Sequence, residues 1–305
     1  MKLFLPIFLF LITHQLVLSQ KISIDISNNG VCFKEGSDSI LFYQTANKDI
    51  NGKYSSCNYI HPLYSLDGQV LTEDFPADHP HQRGIFWAWH QLYVGEQRIG
   101  DGWEIKDIHW EVVSVKEQPG KNNKSIIAGI IWKSPLFTDH GGNELPLVKE
   151  NTTISVWPRK ANYRKIEIKI SLLAQQPDMR LGGSENEKGY GGFSARIRLD
   201  DETVFQGANR IITPQNLPLD AGGWVDITGP VGLNGSKAGV TIVNHPDNPG
   251  YPNPWILRAK NSMQNVVFPH PGAQAIQFSN KEPIILRYML IIHDGENLED
   301  IPKSF

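Results

Sequence analysis

The sequence is poor in sulfur, carries little net charge and has no long hydrophobic run after its first twenty residues. Its 305 residues include only two cysteines, Cys32 and Cys57, so a metal site built from thiolates is excluded. In an oxidising compartment the two could pair, or they could remain separate core residues, and the sequence favours neither. The formal net charge is −3 with both signs interspersed. A nucleic-acid partner is therefore not expected, because it would favour a basic stripe.

Several common catalytic motifs are also absent. The sequence has no GxSxG elbow, no P-loop and no HExxH pattern. Its acidic residues are scattered, and no pair stands out as the carboxylate couple of a glycosidase. Nothing indicates a nicotinamide or flavin fold, so we expect no organic cofactor.

The first twenty residues, MKLFLPIFLFLITHQLVLSQ, have the layout of a secretory signal peptide. One basic residue precedes an apolar stretch that His14 and Gln15 interrupt, which leaves it short of the ~20 apolar residues that a membrane span needs. We predict cleavage near Gln20 and a secreted or periplasmic protein. No later stretch is long enough to cross a bilayer, so a membrane partner is not expected.

The remaining chain alternates apolar and polar residues with a period of two, which is typical of β-strands. YRKIEIKISLLA and FSARIRLD show this most clearly, and segments such as IFWAWHQLYV, SIIAGIIW, AGVTIVN and PIILRYMLIIH read as further strands. Clusters of Gly, Pro, Asn and Asp separate them. We predict an all-β protein, a large antiparallel β-sandwich, of which a mutarotase-like supersandwich is one form. One catalytic domain over residues 21–305 is favoured over two small sandwiches divided near RLGGSENEKGYGG.

The stretch DFPADHPHQRGIFWAWHQ is the leading candidate for a site. Pro80 should force an extended backbone, which would project His79, His81 and Arg83 to one side. Two imidazoles could transfer protons, and a guanidinium could bind a carboxylate. The alternative is a loop in which the histidines satisfy backbone groups and Arg83 pairs with Asp78 or Asp74. Trp87 could line a sugar cleft, although core packing is the default for a tryptophan.

Three further segments carry weaker signals. In SENEKGYGGFSARIR, a glycine-rich turn leads into a strand, with Tyr190 in the turn and Arg196 on the polar face of the strand. The alternative is a glycine hairpin with solvated charges. His245 follows a strand and could meet the other histidines in a metal site, although we do not predict one. Trp224 in GGWVDITG is an aromatic candidate, more often part of a turn.

The combination of YIHPLYSLDGQVLTEDFPADHPHQRGIFWAW, EKGYGGFSAR, WVDITGP and VTIVNHPDNPGYPNPW resembles the PmoA-like family of secreted bacterial proteins. The resemblance covers nearly the whole mature chain, and DHPHxRG is its most specific element. The sequence departs from the family pattern at Gln82, where a third histidine is common, and after Trp255, where a histidine often follows closely.

Within that family the chain is similar to the oligosaccharide dehydratases of ulvan-degradation loci. This resemblance implies a carbon–oxygen lyase that removes water across C4 and C5 of a saturated uronic acid at the non-reducing end of an oligosaccharide. The candidates for the catalytic acid and base are His79, His81, Tyr190 and His245. The candidates for substrate binding are Arg83, Trp87, Arg196 and Trp224. A glycoside hydrolase and a non-catalytic carbohydrate-binding protein are the alternatives.

Overall fold

The computed structural model describes residues 21–208, 210–260, 262–296, 299, 301 and 303–305. The predicted signal peptide, residues 1–20, lies outside the described residues. One short 3₁₀ turn spans Leu233–Gly235. No helix of the described residues is long and apolar enough to cross a membrane.

The strands, in chain order, are β1 (Ile22–Ile26), β2 (Gly30–Glu35), β3 (Asp38–Gln44), β4 (Lys48–Ile50), β5 (Lys53–Ser56), β6 (Tyr59–Leu63), β7 (Ile85–Trp89), β8 (Gln91–Val94), β9 (Gln97–Gly100), β10 (His109–Pro119), β11 (Lys124–Lys133), β12 (Val148–Val156), β13 (Tyr163–Ala174), β14 (Met179–Gly182), β15 (Gly191–Ala195), β16 (Val204–Gly207), β17 (Gln215–Leu219), β18 (Trp224–Gly229), β19 (Ala238–Asn244), β20 (Trp255–Leu257), β21 (Gln264–Val267), β22 (Ile276–Phe278) and β23 (Ile284–His293).

Most of these strands form two large antiparallel sheets. The nine-stranded sheet has the order β1-β2-β3-β6-β7-β15-β21-β20-β17, and the eight-stranded sheet has the order β10-β11-β12-β13-β23-β19-β18-β16. A four-stranded sheet, β22-β14-β8-β9, and the hairpin β4-β5 complete the fold. The predicted all-β antiparallel sandwich is therefore confirmed.

The two large sheets bury their facing side chains in one continuous core, which contains residues from Ile22 to Ile292. Strand β13 shows why the sequence folds this way, because its isoleucines face the core while its lysines and Glu167 face outward. Aromatic rings bridge the sheets: the rings of Phe193 on β15 and Tyr288 on β23 stack with their centroids 4.1 Å apart. Whether residues 21–305 form one catalytic domain stays a prediction.

The core also holds one buried carboxylate, that of Glu150 on β12. It accepts hydrogen bonds from Asn58 Nδ2 at 2.9 Å, Trp87 Nε1 at 2.9 Å, Trp132 Nε1 at 2.7 Å and Thr152 Oγ1 at 2.6 Å. Burial raises the pKa of Glu150, and these hydrogen bonds oppose the rise. A buried carboxylate is tolerated in a core when hydrogen-bond donors surround it. Here the hydrogen bonds of Glu150 connect the two sheets.

The structure corrects two details of the strand prediction. The apolar run IFWAWHQLYV is two strands, β7 and β8, which belong to different sheets and separate at His90. The segment containing Trp224, interpreted as a turn, is strand β18. The two cysteines are unpaired: Cys57 Sγ donates to the Trp110 carbonyl at 3.2 Å, and Cys32 lies on β2 beside Ser39.

Candidate functional site

The HPH segment lies in two consecutive turns, in contrast to the extended backbone that we predicted. The His79 N–H donates to the Pro76 carbonyl at 3.1 Å, and the Gln82 N–H donates to the His79 carbonyl at 2.9 Å. Proline fixes φ near −65°, which suits the second position of a turn as well as an extended chain. The turn still brings His79 and His81 together, with their ring centroids 5.8 Å apart and nearly perpendicular.

Three histidines in this region are each paired with a carboxylate. His79 Nδ1 lies 2.6 Å from Asp78 Oδ2, and His90 Nδ1 lies 3.0 Å from Asp101 Oδ2. His81 Nδ1 lies 3.5 Å from Glu104 Oε2. Because an ionised carboxylate only accepts hydrogen bonds, Nδ1 of His79 and of His90 carries the proton when the ring is neutral. Their Nε2 atoms then hold a lone pair that could accept a proton.

The environment of His81 keeps its imidazole uncharged. Burial, followed by the positive charges of His79, Arg83 and His90, lowers the pKa of His81 to about 4. Burial and the nearby Asp101 raise the pKa of Glu104, the carboxyl group paired with His81, whereas His90 and His79 act to lower it. At neutral pH His81 therefore offers a lone pair, whereas an unperturbed histidine would be partly protonated.

Aromatic rings back this cluster on the face of the nine-stranded sheet that points away from the core. Trp103 stacks on His90 at 5.4 Å and on Tyr190 at 5.6 Å between ring centroids. Alternation along β7 explains the placement, since Trp87 and Trp89 face the core and Phe86 faces this side.

The hydroxyl of Tyr190 accepts a hydrogen bond from the guanidinium of Arg258. The same guanidinium donates to Asn216 Oδ1, and no carboxylate of the described residues forms an ion pair with it. Lys188 adds a second positive charge 5.9 Å from the Tyr190 ring. The cluster formed by His79, His81, His90, Tyr190 and Arg258 is called the histidine cluster below.

The two arginines that we predicted to bind a substrate carboxylate are buried and already engaged. Arg196 is 2% exposed and donates from Nε to Glu73 at 2.6 Å, from Nη2 to Asp78 at 2.9 Å and from Nη1 to Gln82 at 2.8 Å. Arg83, also 2% exposed, donates from Nη1 to the His81 carbonyl at 2.9 Å. Both therefore support the segment that carries His79 and His81 and leave no free face for a ligand.

The remaining predicted residues lie outside the histidine cluster. Trp87 is buried in the core against Glu150 and presents no ring face to a sugar. Trp224 packs on the outer face of the eight-stranded sheet, where Lys303 lies 5.0 Å from its ring. His245 follows β19 of that sheet and packs against Phe305, with ring centroids 4.3 Å apart. We therefore build the site without these three residues.

Sequence reasoning missed His90, Glu104 and Arg258 as site residues. The signal for His90 was present, because the strict alternation through Trp87 and Trp89 places it opposite them, on the same face as Phe86. Glu104 and Arg258 reach the cluster only through the sheet order, which local sequence does not reveal.

Two negative findings concern the described residues only. No group of three or more His, Cys, Asp or Glu side chains among them is arranged to hold a metal ion. A cavity of about 750 Å³ in that part of the chain lies away from these residues, between the β2–β3 turn and Arg164. Its Glu35 pairs with Arg164, and Arg159 donates to the Leu66 carbonyl. Size alone does not outweigh the grouping of proton-transfer residues, so we place the candidate site at the histidine cluster.

Comparison with known proteins gives a family but no activity. The model of a family of unknown function, DUF6807, matches residues 31–302. No curated protein matches the sequence. Galactose 1-epimerase from Lactobacillus acidophilus is 10% identical, with a TM-score of 0.36, over 90% of this chain and 98% of its own. The Salmonella typhimurium protein YeaD, described as a mutarotase, is 8% identical, with a TM-score of 0.35, over 90% of this chain and 94% of its own. These scores are too low to support inferences about the site.

Proposed function

This chain belongs to DUF6807, a family of unknown function, and we propose that it is a carbohydrate-active dehydratase whose active site is the histidine cluster. The substrate that we propose is a uronic acid at the non-reducing end of an oligosaccharide. The reaction removes water across C4 and C5 and leaves a 4,5-unsaturated uronyl end.

The proposed reaction needs a base, an acid and a cation. The base takes the C5 proton, the C4–O bond breaks, and the acid protonates the departing oxygen, so that one water leaves and a C4–C5 double bond forms. Negative charge builds on the carboxylate next to C5 as the proton departs, and a cation must stabilise it. No organic cofactor takes part in these steps.

The imidazole pair His79–His81 is the proposed source of the base. The ring of His81 is uncharged at neutral pH. The Asp78 carboxylate orients the His79 ring by pairing with the Nδ1 of His79. Asp78 is itself fixed by two hydrogen bonds from Arg196. Burial alone would raise the pKa of Asp78, but hydrogen bonds from His79 and Arg196 outweigh it and lower the pKa, so this carboxylate stays ionised.

Tyr190 is the proposed acid. Its oxygen accepts a hydrogen bond from Arg258, so its own proton is free to point toward a ligand. The guanidinium also stabilises negative charge that forms on the phenolic oxygen once the proton has left.

The uncompensated charge of Arg258 is the observation that carries the choice of an acidic sugar. Among the residues that the structure describes, its guanidinium donates only to the neutral oxygens of Tyr190 and Asn216, and it is half-buried beside the proton-transfer residues. A carboxylate could pair with it in the planar geometry that guanidinium groups favour. Arg258 thus takes the part that sequence analysis gave to Arg83 and Arg196.

The sequence resemblance to ulvan-locus dehydratases supports a uronate of the ulvan type. We also propose that the protein acts outside the cytoplasm, on the basis of the predicted signal peptide. Ulvan oligosaccharides that end in a saturated uronic acid are therefore the first substrates to test.

The test incubates the mature protein with these oligosaccharides and follows the ultraviolet absorbance of the conjugated enoate, with mass spectrometry for the loss of one water. We expect new absorbance and a water-loss product from the wild type. His81→Gln and Tyr190→Phe should each lower kcat by roughly a hundredfold, as expected for the loss of a general base or acid.

A matched control is His109→Gln. His109 also pairs with a carboxylate, Glu144, at 2.9 Å, but it lies on β10 of the other large sheet. Its activity should match the wild type. Cleavage into smaller sugars would instead indicate a hydrolase, and binding without any product would indicate a carbohydrate-binding protein. Either result would refute the proposed dehydratase.

A further inference from the structure

Arg83 is a buried guanidinium whose partners are unusual. Three aromatic rings enclose it, with the Arg83 Cζ 5.8 Å from the Tyr59 centroid, 5.1 Å from Phe86 and 5.4 Å from Trp110. Among the described residues, its one side-chain hydrogen bond goes to the His81 carbonyl, at 2.9 Å, and its Nε has no partner there. A buried cation is costly without a counter-charge, so a position such as this calls for an explanation.

The Asp74 carboxylate acts on the charge of Arg83 but forms no ion pair with it. The Asp74 and Arg83 backbones form an isolated β-bridge, but the Asp74 side chain pairs with Lys48 at 2.6 Å. Asp74 also accepts a hydrogen bond from the Tyr59 hydroxyl at 3.2 Å. Burial lowers the pKa of Arg83 to about 10, which still leaves the guanidinium charged at neutral pH. The positive charge is therefore held in place by ring faces and one carbonyl.

We infer that Arg83 is a positioning residue of the histidine cluster, which fixes the His79–Gln82 turn through the His81 carbonyl and keeps a positive charge near the His81 side chain. This inference rests on the proposed function where it concerns turnover. The hydrogen bond from Arg83 to the His81 carbonyl joins two residues that are only two positions apart. A displacement of the guanidinium should therefore also displace His81.

The charge of Arg83 is one of several that face His81. The groups that oppose its protonation are His79, Arg83 and His90, and the acids beside it are Asp101 and Glu104. Tyr54 from the β4–β5 hairpin lies 6.5 Å away between ring centroids. A permanent guanidinium differs from the two histidines because its charge does not vary with pH near neutrality. Arg83 therefore opposes protonation of His81 over the whole pH range in which a histidine titrates.

The test compares Arg83→Met and Arg83→Lys with Arg164→Met. Arg164 is another buried arginine, with 7% of its side chain exposed, and it pairs with Glu35 from strand β13 of the other large sheet. Its loss controls for the general effect of removing a buried guanidinium. Thermal unfolding checks that each variant folds. If Arg83→Met does not fold, Arg83→Lys, which keeps the charge, is used for the comparison instead.

The first readout is the titration of the His81 imidazole by NMR, which requires no substrate. We expect the pKa of His81 to rise by about one unit in Arg83→Met, the lower end of the effect of removing a neighbouring like charge. It should rise less in Arg83→Lys and stay unchanged in Arg164→Met. The second readout is turnover, where kcat should fall roughly ten- to a hundredfold in Arg83→Met, with KM nearly unchanged.

An unchanged His81 titration in both Arg83 variants would overturn the inference, as would an equal shift in Arg164→Met. The NMR result is separate from the fate of the proposed reaction. If the wild type shows no turnover but the titration moves as expected, the dehydratase proposal fails and the positioning role of Arg83 stands.

Discussion

Replacing Arg196 with methionine should destabilise the protein and release the segment that carries His79. The guanidinium is 2% exposed and forms bonds of 2.6 to 3.1 Å to Glu73, Asp78 and Gln82. Methionine fills a similar volume but donates no hydrogen bond, so two carboxylates and one amide lose their partner.

The magnitude follows from how exposed those partners are. Breaking a fully buried ion pair costs about 3–5 kcal/mol, but the side chains of Glu73 and Asp78 are 39% and 29% exposed and can regain water. Gln82 is 2% exposed, and its unsatisfied carbonyl costs about 1–3 kcal/mol. We therefore expect Arg196→Met to lower the free energy of unfolding by about 3 kcal/mol.

The assay is urea unfolding of the wild type, Arg196→Met, Asp78→Asn and the double variant. A coupling energy of about 1–2 kcal/mol between Arg196 and Asp78 is expected, because the two groups are in direct contact. As a control, Arg198→Met removes the neighbouring arginine, which donates to the Val70 carbonyl from a more exposed position, and should cost less than about 1 kcal/mol. A loss below 1 kcal/mol in Arg196→Met would refute the structural role given to this residue.

Three further predictions concern individual side chains. The pKa of His81 is about 4 in the folded protein and 6.5 unperturbed, so the unfolded chain binds the proton first as the pH falls. The neutral ring contributes fully to the free energy of unfolding above pH 6.5, and this contribution is lost between pH 6.5 and 4. Urea unfolding should show a loss of roughly 3 kcal/mol over this range. In His81→Gln the free energy of unfolding should depend less on pH. Glu150→Gln should lower the free energy of unfolding by about 2 kcal/mol, also in urea unfolding, because the new amide NH₂ group would face a neighbour that is itself a hydrogen-bond donor. An equally stable variant would contradict the hydrogen-bond assignment. Arg258→Gln should raise KM for the uronate at least tenfold in steady-state kinetics, since charge-assisted bonds are worth about 1.5–3 kcal/mol, and an unchanged KM would exclude Arg258 as the carboxylate receptor.

The sequence predicted the fold well where apolar residues alternate over long strands. Strand β13 matches its predicted segment because one wet face and one buried face leave a clear period of two. Strand β19 also matches, although it is buried on both faces, because its run of Val, Ile and Thr is typical of a strand. Short strands such as β4 and β20 have three residues each and carry too little pattern to detect. The break at His90 was hidden, because apolar residues continue on both sides of a change of sheet.

The candidate site was predicted in part. His79, His81 and Tyr190 do lie in one region, because the turn and the glycine-rich entry to β15 meet across neighbouring strands. The roles of Arg83 and Arg196 could not be predicted, since a sequence does not show whether a guanidinium points to solvent or into the protein. Their burial depends on the partners Glu73, Gln82 and Trp110, which only the folded chain brings near them.

The most direct test of the central claim is a titration of protein carrying labelled histidines with a uronate-ended oligosaccharide, followed by NMR of the imidazoles. If the histidine cluster is the site, the signals of His79, His81 and His90 should shift on binding, whereas those of His109 and His245 on the other sheet should not. Shifts confined to His245 or His109, or binding that leaves the three cluster signals unchanged, would show that the site lies elsewhere.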